Sequence, residues 1–162
     1  LDAGVNEVTG KNPDSEEKLE YTGENAFALN AVRPSSTMLD GLVTKYWAEQ
    51  LTDGVKSGGE DGHWKPAASD KSPSITVVDG TRYVLSEIAL YTSSGKYSFV
   101  IEGADDLSGS WKTVAETKDA SPKKEGVANV IAVKVNASFR YYRISFKNMS
   151  NADIMVYEVT AR

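Results

Sequence analysis

Short apolar runs alternate with polar positions along most of the chain, and turn-forming residues separate them. The clearest alternation has a period of two, which is typical of half-buried β-strands rather than helices. Glycine, proline, serine or asparagine follows nearly every run. The pattern predicts strands at residues 26–32, 75–78, 83–91, 96–102, 111–115, 127–135, 141–146 and 153–159.

Three stretches of the chain give further local predictions. Residues 83–91 and 96–102 are separated by Ser93-Ser-Gly, which predicts a hairpin, and the charged residues 118–126 predict a loop. Apolar positions between residues 38 and 51 recur at helical spacing, but Gly41 and the β-branched Val43 weaken a helix. We favour a long irregular loop with a short helical turn, and an amphipathic helix packed on the core is the alternative.

The predicted elements define one all-β domain. Residues 1–24 are polar and lack periodicity, so we interpret them as a linker or a loose N-terminal arm. Residues 25–162 carry the strands. About eight short strands with turn signals between them predict an antiparallel β-sandwich or jelly roll with long loops.

Composition excludes several kinds of chemistry. The 162 residues contain no cysteine, which removes disulfides, thiolate metal sites and cysteine nucleophiles. His63 is the only histidine, and no G-x-S-x-G nucleophile motif or glycine-rich phosphate loop accompanies it. The net charge of −5 argues against nucleic acid as a partner, and no apolar run reaches the length of about 20 residues that membrane insertion needs. Common enzyme chemistries are therefore thinly supported by the sequence.

The aromatic residues next to strands predict part of the core. Trp64 and Trp111 border strands, and burial is the favoured interpretation for both. In residues 141–146, Tyr142, Ile144 and Phe146 share one strand face and are expected to be buried.

The order of several motifs resembles one known family. They are Leu51-Thr-Asp-Gly, then Trp64, then Tyr97-Ser-Phe-Val-Ile-Glu-Gly-Ala-Asp-Asp with Trp111 after it, Arg140-Tyr-Tyr-Arg-Ile-Ser-Phe, and Val156-Tyr-Glu-Val. This order is similar to that of the discoidin superfamily, also called the coagulation factor V/VIII type C fold. The bacterial branch of the superfamily includes the family 32 carbohydrate-binding modules. The resemblance covers residues 26–160.

The resemblance implies a function. It indicates a monomeric, non-catalytic carbohydrate-binding module that targets a glycan and is joined to a catalytic domain in the same polypeptide. The parent protein would be a bacterial glycan-active enzyme, a glycoside hydrolase, that is secreted or held at the cell surface. The alternative is a protein-interaction or adhesion module on the same fold without a sugar site.

The resemblance also implies a structural calcium ion (Ca²⁺). Calcium takes six to eight hard oxygen ligands in flexible geometry, so carboxylates and loop carbonyls suit it. Without the metal, Asp53 is a turn residue and Glu158 a surface strand residue. The positions that correspond to the family's ligands are Gln50, Asp53, Val55, either Asp61 or Gly62, and Tyr157 with Glu158.

The sugar site is harder to place. Family members that bind galactose have a histidine just after the tryptophan and an arginine in the following loop, whereas here Lys65 follows Trp64 and the connection after Tyr91 contains no arginine. Sugar sites need an exposed aromatic face and a few hydrogen-bonding groups. Trp47 is the best aromatic candidate, either as a stacking residue or as part of the core. The full set of candidates in loops is Tyr46, Trp47, His63, Lys65, Asn148 and Asn151.

Overall fold

The structure, a computed structural model, describes residues 19–39, 48–58 and 63–162. Within these ranges the chain forms ten strands and two short 3₁₀ helices. The strands are β1 (Leu19–Glu20), β2 (Val32–Pro34), β3 (Ser74–Val78), β4 (Tyr83–Thr92), β5 (Tyr97–Ala104), β6 (Lys112–Ala120), β7 (Lys123–Glu125), β8 (Ala128–Ala137), β9 (Tyr141–Phe146) and β10 (Val156–Ala161); the 3₁₀ helices are Ala48–Thr52 and Asn151–Asp153.

The strands form two five-stranded sheets that pack face to face. Sheet I has the order β1-β4-β8-β7, and β10 also pairs with β4. Sheet II has the order β2-β3-β9-β5-β6, so β9 is its central strand. The short β1 runs parallel to β4, and the other pairs are antiparallel. This architecture confirms the predicted all-β sandwich.

The core lies between the sheets. Tyr142, Ile144 and Phe146 of β9 are buried, as the strand pattern predicted. Trp64 is fully buried and is joined to Val156 by a pair of backbone hydrogen bonds of 2.7 and 3.0 Å. The prediction that Trp64 is a core residue is therefore confirmed.

Trp111 differs from the prediction. It is only partly buried, and its ring lies against the guanidinium of Arg143, 4.2 Å from the ring centroid. Arg143 points away from the core because it alternates along β9 with the buried Tyr142 and Ile144. Trp111 therefore contacts the outer face of sheet II rather than filling the core.

The predicted hairpin between residues 83–91 and 96–102 is wrong. Strand β4 pairs with β8 and β10 in sheet I, whereas β5 pairs with β6 and β9 in sheet II. The turn between them crosses from one sheet to the other. The sequence pattern does not distinguish a hairpin from two strands in different sheets. The inward faces of both sheets line the same core, so the apolar alternation is the same in both arrangements.

Two local predictions also need correction. Residues 26–29 form turns rather than a strand, because the Asn25 carboxamide oxygen accepts the N–H of Phe27 at 3.0 Å and Leu29 adopts a φ of 61°. Residues 118–126 are not simply a loop, since β6 continues to Ala120 and β7 follows. Both strands lie at sheet edges, where charged side chains remain in water.

The structure around residues 48–52 and at the N-terminal end of the described chain agrees with the sequence analysis in part. Residues 48–52 form a 3₁₀ helix, which matches the predicted short helical turn, while residues 40–47 lie outside the described ranges. Leu19 and Glu20 pair with β4, so the sheet extends into the segment 1–24 that was expected to be a loose arm. No helix in the described part of the chain is long and apolar enough to cross a membrane.

Candidate functional site

The 3₁₀ helix at residues 48–52 packs near β10, and Asp53, which follows it, lies next to Glu158. Glu158 is fully buried, and its Oε2 accepts the N–H of Gly54 at 2.8 Å. Its second oxygen, Oε1, is buried and has no hydrogen-bond partner among the described residues. The side-chain oxygen of Gln50 is also buried and has no hydrogen-bond partner among the described residues. Unpaired buried oxygens are costly, so this place in the fold suits a bound cation.

The electrostatics of Glu158 agree with that geometry. Burial raises the pKa of the Glu158 carboxyl to about 8; the Gly54 N–H lowers it, and the nearby Asp53 carboxylate raises it further. Asp53 is held in place by the N–H of Val55, which donates to its Oδ1 at 2.9 Å. Two carboxylates thus face one small region where a positive charge would relieve their repulsion.

The remaining calcium candidates are not all brought to this place. Val55 lies two residues after Asp53, and Tyr157 precedes Glu158 on β10, with its ring 5.3 Å from that of His63. Asp61 and Gly62 lie outside the described residues. Within the described ranges, no cluster of three or more histidine, cysteine or acidic side chains could hold a metal ion. The described residues thus supply two carboxylates, and carbonyl oxygens would have to complete the ligand set.

A separate cavity of about 460 Å³ opens where the β4–β5 turn meets the segment before β10. Lys65 crosses this region and donates to the carbonyl of Ala152 at 3.1 Å. We call it the loop-end cavity; its lining is Lys65, Ser93, Ser94, Gly95, Lys96, Ala152, Asp153 and Met155.

Of the predicted sugar-binding residues that the structure describes, only Lys65 lines the loop-end cavity. His63 is 6% exposed and packs against Tyr157. Asn148 is exposed at a turn with a φ of 53°. The Asn151 amide donates to the carbonyls of Ala67 and Asp70 at 2.9 and 2.6 Å, which makes it a structural residue. Tyr46 and Trp47 lie outside the described residues.

Sequence reasoning missed most of the loop-end cavity. Ser93 and Ser94 lie in a segment whose only signal was that of a turn, Gly95 adopts a φ of 116° there, and Lys96 was predicted only as the start of a strand. Recognising that this turn crosses between sheets, rather than closing a hairpin, would have placed it beside residues 152–155.

The paired sheets and the loops at their ends define a β-sandwich. The sequence matches no protein-family model and no curated protein. Solved structures, however, share the fold. One is chitosan-binding module 1 of a chitosanase/glucanase from Paenibacillus sp. IK-5, with a TM-score of 0.64, 17% identity, and coverage of 86% of this chain and 99% of that one.

Two further structures are similar. A family 32 module of Clostridium perfringens in complex with GlcNAc-α-1,4-galactose has a TM-score of 0.63 at 16% identity, covering 87% of this chain and 95% of the module. A GH29 fucosidase of Ruminococcus gnavus in complex with fucose has a TM-score of 0.65 at 15% identity, covering 88% of this chain but 27% of the fucosidase. These similarities confirm the predicted resemblance at the level of the fold.

Proposed function

We propose that this chain is a non-catalytic carbohydrate-binding module. The observation that carries the proposal is the loop-end cavity, which opens on a fold that similar structures use as chitosan-binding and family 32 modules. Lysine, serine and aspartate side chains at its wall supply the donors and acceptors that sugar hydroxyls need. Such a module holds an attached enzyme near its substrate, and even weak binding then acts through effective concentration.

The proposal includes the setting of the module. One similar structure is a fucosidase of which the matching region covers only 27%, which agrees with a module joined to a catalytic domain. We infer that the parent protein is a bacterial glycoside hydrolase that is secreted or held at the cell surface.

The experiment that tests the function is a glycan-array screen followed by calorimetric titration of the best ligand. Lys65→Ala and Lys96→Ala should each weaken binding at least fivefold without lowering the melting temperature. Val127→Ala is the matched control, because Val127 is 82% exposed on the β7–β8 turn. Absence of binding to every glycan would contradict the proposal. It would favour the protein-interaction alternative, which is supported by the lack of an aromatic residue in the described lining of the loop-end cavity.

We also propose that the module holds a structural calcium ion at Asp53 and Glu158. The two carboxylates would supply charge, and oxygens of Gln50, Val55, Tyr157 and the loop at Asp61 and Gly62 would complete the ligands. Bound calcium would supply a positive charge to the buried Glu158 carboxylate. It would also link the segment around Asp53 to β10. Calcium added to protein freed of metal should raise the melting temperature, by up to about 2.7 kcal/mol of stability at a hundredfold excess over Kd. Glu158→Gln should lose that response.

A further inference from the structure

The outer face of sheet II is a regular array of side chains around its central strand. The backbone register places Thr76, Arg143 and Glu102 side by side on β3, β9 and β5. Tyr141 and Ser145 lie two residues away from Arg143 on either side and share its face of β9. We call this surface the β9 face; it consists of Thr76, Glu102, Trp111, Tyr141, Arg143 and Ser145.

Polar and aromatic groups at the centre of the β9 face are held in fixed positions. Arg143 Nε donates to Glu102 Oε1 at 3.1 Å, and the guanidinium lies 4.2 Å from the centroid of the Trp111 ring. Ser145 Oγ contacts the same carboxylate oxygen at 3.4 Å. Arg143, Glu102 and Ser145 stand on strands, and Trp111 directly precedes β6, so the array is preorganised.

Two cavities extend the β9 face along the strand direction. One, of about 430 Å³, lies beside Tyr141, Arg33, Glu49 and the partly exposed Leu107. The other, of about 250 Å³, lies beside Arg143, Ser145 and Lys147. Strand residues rise about 3.3 Å each, so the six steps from residue 141 to 147 span roughly 20 Å. A ligand that used both cavities would therefore be an extended chain.

We propose that the β9 face is a second binding site, which takes an extended, uncharged stretch of glycan. Trp111 and Tyr141 present aromatic surface to sugar C–H groups, and the Arg143–Glu102 pair presents planar donors and acceptors to hydroxyls. The inference rests on the proposed carbohydrate-binding function and adds a site on a different part of the molecule from the loop-end cavity.

The charge pattern argues for an uncharged ligand. Arg143 is neutralised by Glu102, and the described lining of the first cavity carries one cationic residue, Arg33, and one acidic residue, Glu49. An anionic chain would have to compete with Glu102 for the guanidinium, and a cationic one would meet Lys147 at the far end. Side chains with both donors and acceptors but no net charge at the centre match a polyhydroxylated, neutral polymer.

The test is affinity electrophoresis of the full chain in gels that contain mixed-linkage β-glucan, galactomannan or arabinoxylan. Polygalacturonate and soluble chitosan serve as anionic and cationic comparisons. Trp111→Ala and Arg143→Ala remove the stacking ring and the guanidinium, and Arg143→Lys keeps the charge without the planar group. Lys65→Ala reports on the loop-end cavity, and Val127→Ala is the exposed control. Circular dichroism of each variant establishes that it is folded.

We expect the wild type to be retarded by at least one neutral polymer. Each Trp111 or Arg143 variant should raise the Kd at least fivefold, while Val127→Ala leaves it unchanged. If Lys65→Ala weakens binding and the Trp111 and Arg143 variants do not, the second site is refuted and the proposed function stands. If the wild type binds no polymer and no glycan of the array, both fail.

Two other outcomes would also overturn the inference. Trp111-dependent binding to polygalacturonate or chitosan alone would show that the ligand is charged. Self-association of the wild type in sedimentation equilibrium that Trp111→Ala abolishes, with glycan binding unchanged, would make the β9 face a contact between copies of this chain.

Discussion

The hydroxyl of Tyr97 donates to the carbonyl of Met155 at 3.0 Å and accepts the N–H of the same residue at 2.9 Å. Tyr97 begins β5 in sheet II, whereas Met155 directly precedes β10 in sheet I. Ser93, at the start of the crossing turn, lies 2.8 Å from the same hydroxyl. This one buried group therefore joins the two sheets beneath the loop-end cavity, which Ser93 and Met155 help to line.

Tyr97→Phe should destabilise the protein although it removes a single oxygen. The Met155 N–H would lose this partner inside the protein, while the Met155 carbonyl keeps the N–H of Ser93 at 3.1 Å. An unsatisfied buried donor typically costs about 1–3 kcal/mol. Urea unfolding of Tyr97→Phe beside Tyr141→Phe, a change on the partly exposed outer face, measures this. Equal stability of the two variants would show that the hydroxyl does not join the sheets.

The two tryptophans with described surroundings should respond in opposite ways to truncation. Trp64 fills the core, and its indole N–H donates to the carbonyl of Ser36 at 2.9 Å. Trp64→Ala should cost about 3–5 kcal/mol, the usual range for an emptied core aromatic site. Trp111→Ala should cost about 1 kcal/mol, because it loses one partly exposed cation–π contact. Chemical denaturation of both variants would contradict the assignments if the order were reversed.

The pattern along the chain was enough to predict the architecture but not the way in which the strands connect. Strands such as residues 141–146 were located correctly because one face is apolar and the other is not. Pairing is decided by contacts distant in sequence, such as Tyr97 with Met155, which leave no local signal. Trp111 was misplaced for a related reason, because an aromatic residue beside a strand can pack on either face of a sheet. Here it packs on the outer face, against the guanidinium of Arg143.

The candidate sites were predictable to different extents. The resemblance pointed to Asp53 and Glu158 together, although they are far apart in sequence, and the structure brings them together. Among the proposed sugar-binding residues, composition alone did not distinguish an asparagine that binds ligand from one that holds a loop. Asn151 holds backbone carbonyls, and only the folded chain shows this.

Asn151→Ala should lower stability rather than act on a ligand directly. The carbonyls of Ala67 and Asp70 would lose a partly buried donor, and we expect a loss of about 1 kcal/mol. Asn148→Gly is the control: Asn148 is exposed with a φ of 53°, a conformation that glycine adopts without strain. Thermal melting should therefore show a lower midpoint for Asn151→Ala and a nearly unchanged one for Asn148→Gly. A wild-type midpoint for Asn151→Ala would refute the structural role.

Asp79 should make the protein less stable as the pH rises from about 4 to 6. The residue is 2% exposed, and burial raises the pKa of its carboxyl from 3.8 to about 6. Hydrogen bonds from the backbone N–H groups of Thr81, Tyr83 and Arg82 lower the pKa but do not offset the burial. The folded state then holds a proton that the unfolded state has released, so stability falls across this window, by about 3 kcal/mol in all. Asp79→Asn removes the titration. The difference in unfolding free energy between wild type and variant, measured from pH 4 to pH 7, should change in that direction; a constant difference would contradict the assignment.

Glu158 should produce a second pH dependence that calcium reverses. Its carboxyl has a pKa raised from 4.5 to about 8 in the folded protein, chiefly by burial. Between those values the folded state binds one proton more than the unfolded state. Without metal, the Glu158 contribution to stability should therefore fall as the pH rises, by about 2 kcal/mol between pH 6 and 8, an interval that begins at the pKa of about 6 of Asp79.

Calcium requires the ionised carboxylate, so its stabilising effect should grow over the same interval. Melting curves from pH 6 to 8, in chelator and in excess calcium, should diverge for the wild type and coincide for Glu158→Gln. Magnesium is the matched control, because it keeps its own water ligands and prefers rigid octahedral geometry over a site of loop carbonyls. If Glu158→Gln keeps the wild-type slope in chelator, the titrating group is another residue. If the slope disappears but calcium has no effect on the wild type, Glu158 is a buried carboxyl without a metal, and the calcium proposal falls while the pKa assignment stands.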